Sequence, residues 1–99
     1  MVIDIGGIFF MSNKAELIVY TLENCPNCEL LKEYLAACGA AFQERDMMSA
    51  EALTEMRING VFVREAPVLQ RDKTFLTSAE LFVAGSVREE VVSPLIKGD

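Results

Sequence analysis

The sequence contains no histidine. Imidazole acid–base catalysis and histidine-ligated metal sites are thereby excluded. Positive charge is scarce. Nine lysines and arginines stand against fifteen aspartates and glutamates, for a net charge of −6. A nucleic-acid surface needs a basic patch against phosphate, and an anionic membrane surface needs the same, so neither partner fits. No long apolar run is present. Uncharged apolar stretches such as Ile5 to Ser12 fall far short of the roughly 20 residues of a membrane span. Cysteine is too sparse, and odd in number, for a secreted disulfide scaffold; only Cys25, Cys28 and Cys38 are present.

What remains is a chain of 99 residues, 52% apolar and 24% charged. That length is one domain with one core, and that composition excludes disorder as the main state. The segment Met1 to Phe10 is apolar. It lacks the positive start and small-residue cleavage site of a signal peptide, and Asp4 and Gly6-Gly7 interrupt it. Residues 1–12 are therefore set apart as an apolar extension, with 13–99 as the domain. The extension reads either as an appendage without chemistry or as an edge strand or partner contact through Ile8, Phe9 and Phe10. Without an export signal, the expected location is cytoplasmic.

The domain alternates in period. Leu17-Ile18-Val19-Tyr20 is a short, buried-strand run ending in turn residues Glu23-Asn24. Pro26 opens a helix, where a missing N–H costs nothing. Leu31, Tyr34, Leu35 and Cys38 share one face of that helix, so Cys38 is expected to be a buried small hydrophobe, and Gly39 ends the helix. A second strand covers about Ala41 to Arg45. Ser49 caps a second helix running to Gly60, with Leu53 and Met56 inward. Val68-Leu69-Gln70 and Thr74-Phe75-Leu76 form a hairpin about Arg71-Asp72-Lys73. Thr77 and Glu80 have capping-box spacing and open a third helix, interrupted at Gly85. Ser86 and Glu89 repeat the spacing, which predicts a restart to about Lys97, bent at Pro94. The order β-α-β-α-β-β-α implies a four-stranded mixed sheet flanked by helices.

The chemistry concentrates at Cys25-Pro26-Asn27-Cys28. A strand delivers both thiols to the first turn of a helix, where free N–H groups and the macrodipole favour a thiolate. Cys25, before Pro26, is the exposed, attacking thiol. Cys28 lies on the inward face as the resolving thiol, and three-residue spacing brings the sulfurs within bridging range. Two ordinary helix-start cysteines, or half of a metal site, are the plainer alternatives.

The segment Val19-Tyr20-Thr21-Leu22-Glu23-Asn24-Cys25-Pro26-Asn27-Cys28 resembles the active-site segment of glutaredoxins and glutaredoxin-like redoxins. The resemblance continues to Phe42-Gln43-Glu44, returns at Ala66-Pro67-Val68 and ends with Ser93-Pro94-Leu95-Ile96-Lys97. It implies a thioredoxin-like α/β fold of the glutaredoxin type and thiol–disulfide oxidoreductase activity with a Cys25–Cys28 disulfide and no cofactor. It further implies that Pro67 is cis and that the Ala66 backbone pairs with a disulfide-containing protein substrate.

Several positions depart from the family's glutathione-binding pattern. Glutaredoxins carry lysine where Leu22 stands, Thr-Val where Glu65-Ala66 stands, and often tyrosine where Asn27 stands. They carry Gly-Gly and aspartate where Leu76-Thr77-Ser78-Ala79-Glu80 stands. Glu23 and Glu65 flank the site and would repel an anionic tripeptide, although free N–H groups near Thr77 and Ser78 would hold one carboxylate. The pattern is closer to redoxins fed by a thioredoxin-reductase-type donor, though without the aromatic-Ser-Gly-Phe segment of those proteins. Glu23 and Glu29 oppose the helix dipole. Cys25 is therefore expected nearer thioredoxin, at about 7, than the strongest dithiol oxidants, at about 3.5. A reduction potential on the order of −200 to −270 mV fits that class. Glu23, Glu29 and Glu65 also suit a basic partner surface. Three other readings stand: glutathione as the electron donor, a Cys-ligated metal or iron–sulfur site shared by a dimer, and a non-catalytic interaction module.

Overall fold

The structure, a computed structural model, describes residues 17–97. The proposed extension at residues 1–12 lies outside the described residues. Strand β1 (Leu17–Thr21) is followed by helix α1 (Pro26–Ala37), strand β2 (Phe42–Asp46) and helix α2 (Ala50–Ile58). Strands β3 (Val68–Arg71) and β4 (Thr74–Leu76) then form a hairpin, and a single turn, α3 (Ser78–Leu81), follows. A small hairpin of β5 (Phe82–Val83) and β6 (Ser86–Val87) leads into the last helix, α4 (Glu89–Lys97). The main sheet has four strands in the order β2-β1-β3-β4. β1 runs parallel to β2 and antiparallel to β3, and α1 supplies the crossover that a parallel pair requires. This is the mixed sheet expected of a thioredoxin-like α/β fold.

Both faces of the sheet are covered, and strand alternation sorts the residues between them. Leu17, Val19 and Leu69 pack with Leu31 and Leu35 of α1, Leu81 of α3 and Val92 of α4. On the opposite face Tyr20 and Val68 pack with Ala52 and Met56 of α2 and with Met47. Helix α1 ends where expected. Gly39 takes φ +71°, and the N–H groups of Gly39 and Ala40 return to the carbonyls of Ala36 and Leu35, closing a Schellman motif. Helix α2 begins as its sequence predicts, with the Ser49 hydroxyl accepting the Ala52 N–H at 3.1 Å.

Three expectations need correction. Cys38 is exposed, not buried. It is the C-cap of α1, one residue past the last helical residue, where the period no longer directs a side chain inward. The neighbouring Tyr34 hydroxyl is pushed up to about 12, by burial first and by its hydrogen bond to Cys38 second. The third helix does not continue to Gly85. Phe82 is already extended, and Ala84 and Gly85 take φ +51° and +80°, the paired positive values of a tight hairpin turn. The β-prone residues Phe82, Val83 and Val87 pair across it and outcompete a helix in so short a segment. Finally, Ser86 lies in β6 and caps nothing. The chain enters α4 behind Arg88, whose carbonyl accepts the Val91 and Val92 N–H groups, and Pro94 lies within that helix.

A buried polar chain ties α2 to the sheet. The Tyr20 hydroxyl donates to Gln70 Oε1, and Gln70 Nε2 donates to Glu55 Oε2 at 3.2 Å and to the Asp72 carbonyl at 2.7 Å. Burial raises the Tyr20 hydroxyl above its ordinary value, so it stays a donor. Tyr20→Phe strands the buried Gln70 acceptor. Urea unfolding of this variant is expected to show a loss of about 1–3 kcal/mol with an unchanged denaturant slope.

Candidate active site

β1 ends at buried Thr21, and three residues then carry the chain to α1. Asn24 makes the change of direction at φ +55°, a left-handed conformation that asparagine tolerates better than most residues. Cys25 follows as the N-cap of α1, with extended backbone, and Pro26 is the first helical residue. The Cys28 N–H donates to Cys25 Sγ at 3.1 Å, so sulfur occupies the place usually taken by a capping oxygen. The two cysteines are joined by a disulfide across a Cα–Cα distance of 5.2 Å. Their surroundings differ. Cys28 is buried, with 1% of its surface exposed, beneath the first turn, whereas Cys25 is half-buried at the rim.

The second wall comes from the segment before β3. The Ala66–Pro67 bond is cis and Pro67 is buried. The Ala66 carbonyl oxygen lies 3.7 Å from Cys25 Sγ, and the Ser78 hydroxyl donates to the same oxygen at 3.4 Å. Of the residues singled out in the sequence, Leu22, Cys25, Pro26, Asn27 and Ala66 line one open groove of about 390 Å³, together with Glu23 and Glu65. Thr77 and Ser78 stand behind Ala66 and do not line it.

Of the N–H groups near Thr77 and Ser78 expected to be free, that of Thr77 is engaged. The Thr77 N–H donates to Glu80 Oε1 at 2.8 Å, and the Thr77 hydroxyl donates to the same oxygen at 3.0 Å. The start of α3 thus already holds a carboxylate, its own. The signal was present in the sequence, because capping-box spacing and a free N–H are incompatible demands on the same group.

Sequence reasoning also missed a polar network beside the site. Thr21 Oγ1 donates to Glu44 Oε2 at 2.9 Å, and Lys32 Nζ lies 3.1 Å from that oxygen and 3.0 Å from Glu29 Oε2. Lys32 therefore partly offsets the negative charge of Glu29 in the first turn of α1. The Lys32 ammonium, and then the Thr21 hydroxyl, hold the Glu44 carboxyl below its ordinary value of 4.5. Among the described residues, no group of three or more cysteine, aspartate and glutamate side chains is placed to hold a metal ion. Nor is any described helix long and apolar enough to cross a membrane.

A family model described as Glutaredoxin matches residues 17–75, from β1 through β4. The chain belongs to the glutaredoxin family. No curated protein matches it at a significant level. Family membership and the bridged Cys25–Cys28 pair together fit a redox function of the thiol–disulfide oxidoreductase type. Within this glutaredoxin, the matched region contains both walls of the groove, and α3 and α4 lie outside it.

The lowered Glu44 carboxyl makes a pH prediction. A carboxyl depressed on folding contributes stability that is present above its unfolded value and is lost as pH falls through the folded one. Glu44→Gln is expected to lower the urea midpoint modestly at pH 7, as for an exposed ion pair. The difference from the unaltered protein should close on acidification below 4.5. A gap that persists at pH 2 would assign the effect to packing instead.

Proposed function

We propose that this glutaredoxin-family protein is a dithiol–disulfide oxidoreductase that reduces protein disulfides, with Cys25 as nucleophile and Cys28 as resolving thiol. The observation that carries the reading is the asymmetry of the pair: an accessible Cys25 sulfur at the helix N-terminus, receiving the Cys28 N–H, above a buried Cys28. In the reduced protein the same N–H and the helix dipole favour the Cys25 thiolate. The thiolate attacks a target disulfide and forms a mixed disulfide, while the target's other sulfur leaves as a thiolate and takes a proton. The Cys28 thiol loses its proton and attacks Cys25, forming the Cys25–Cys28 bridge and releasing the second target thiol. Two electrons pass from the protein to the target. Pro26 fixes the first helical residue, and Ala66 offers backbone groups to the target beside Cys25.

The charge around the groove supports a choice of electron donor. Leu22 supplies no cation, Glu23 and Glu65 flank the opening, and Glu80 occupies the Thr77 N–H. Each feature disfavours an anionic tripeptide, which leaves a thioredoxin-reductase-type donor as the proposed source of electrons, with a cytoplasmic setting in keeping with such a couple. Glutathione is the alternative donor. The shared-metal and interaction-module readings gain no specific support.

Two experiments test this. Cys25→Ser is expected to abolish reduction of a protein disulfide, at least 100-fold, while Cys28→Ser accumulates a mixed disulfide visible by mass spectrometry. Full activity in Cys25→Ser would overturn the assignment. Turnover of a glutathione mixed disulfide, driven by glutathione and its reductase, is expected to be at least tenfold slower than turnover driven by a thioredoxin-reductase-type enzyme. The reverse order would make glutathione the donor.

A further inference from the structure

A second groove, of about 660 Å³, opens beside the first. Its floor is the buried Met47 and Met56, and its lip is the exposed Met48 and Phe62. Phe62 is 76% exposed, an unusual position for a phenylalanine with no packing role. Arg57 and Arg64 complete the rim. They form no side-chain hydrogen bond or ion pair among the described residues. Lys32 is engaged with Glu29 and Glu44, Arg88 with Glu90, Arg45 with Gln43, and Arg71 with the Leu95 and Ile96 carbonyls, while Lys73 and Lys97, away from the groove, share the unpaired state of Arg57 and Arg64. Two unpaired guanidinium groups beside an apolar floor are conspicuous in a protein of net charge −6.

The groove shares no lining residue with the redox groove but is tied to it at two points. Met47 follows the last residue of β2, and its N–H donates to the Thr21 carbonyl at 2.9 Å, at the end of β1 that leads to Cys25. Arg64 precedes Ala66 by two residues, a reach of at most about 7 Å along the chain, and the Ala66 carbonyl touches Cys25 Sγ. We propose that this groove docks a segment of the target protein bearing apolar side chains flanked by carboxylates, and so holds the target's disulfide against Cys25. The proposal rests on the thiol-exchange reading above. Methionine floors adapt to varied apolar anchors, while the arginines supply fork geometry for carboxylates. The redox groove itself carries Glu23 and Glu65, the latter next to Arg64 in the chain. The combined field therefore orients a target, with its acidic side toward α2.

The test uses the full chain, reduced, and two synthetic peptides. Each contains one intramolecular disulfide and one Leu-Phe anchor; one flanks the anchor with glutamates, the other with lysines. At low ionic strength the glutamate peptide is expected to be reduced about tenfold faster, the scale of two rim charges. The charge-reversing pair Arg57→Glu and Arg64→Glu, both exposed positions, should invert the preference. Phe62→Asp should slow the glutamate peptide without inverting it. Equal rates, a lysine preference in the unaltered protein, or a preference untouched by the double variant would overturn the docking proposal while leaving thiol exchange standing. A dimer in sedimentation that the double variant dissociates would give the groove to a second copy and also overturn it. If neither peptide is reduced, the thiol-exchange reading falls and takes the proposal with it.

Discussion

Strand β1 is hydrogen-bonded along both edges, to β2 on one side and β3 on the other, and every one of its residues is buried or half-buried. It cannot slip by one residue without turning Leu17 and Val19 out of one core and Tyr20 out of the other. That fixed register determines where the chain emerges after Thr21. The turn at Asn24 and the proline at the helix start then leave little freedom in where Cys25 is held. Cys28, locked under the first turn by packing, sets the other end of the redox pair. A reactive sulfur held by a rigid scaffold needs little reorganisation at the moment of attack.

Two neighbouring grooves carry charges of different sign at their rims. Glu23 and Glu65 stand at one opening, and Arg57 and Arg64 border the apolar groove at the other. Lys32 is drawn into the Glu29 and Glu44 carboxylates and so is spent on structure. Glu80 likewise consumes donor groups at the start of α3. On the proposed function, the surface that remains suits an extended partner better than a small anion. Specificity here comes as much from what the protein has withheld as from what it presents.

The elements legible in the sequence were those in which local chemistry and tertiary packing agree. The Cys25–Pro26 start of α1, the Gly39 stop, the Ser49 cap and the β3–β4 hairpin are cases in which turn or cap residues bracket an apolar run. The segment from Phe82 to Arg88 was misread because two capping-box spacings, at Thr77 and Ser86, competed with a two-residue hairpin turn containing alanine. Alanine at φ +51° is costly, and no local rule announces it. Cys38 satisfied the helical period yet fell one residue past the last helical residue, at the cap, where the period no longer directs a side chain inward. In the site, the cysteine pair was readable because its chemistry is local. The Thr21–Glu44–Lys32 network and the methionine groove join residues from separate elements, and spacing along the chain carries no trace of them.

The Arg71 guanidinium spans the Leu95 and Ile96 carbonyls at the end of α4, and in the sheet Arg71 stands opposite Leu17. The beginning of β1 and the end of the last helix therefore meet at one pole of the domain, while Cys25 sits at the other. The clamp that fastens the last helix to the sheet therefore works a full strand length away from the sulfurs, so the domain is braced at one pole and chemically bare at the other.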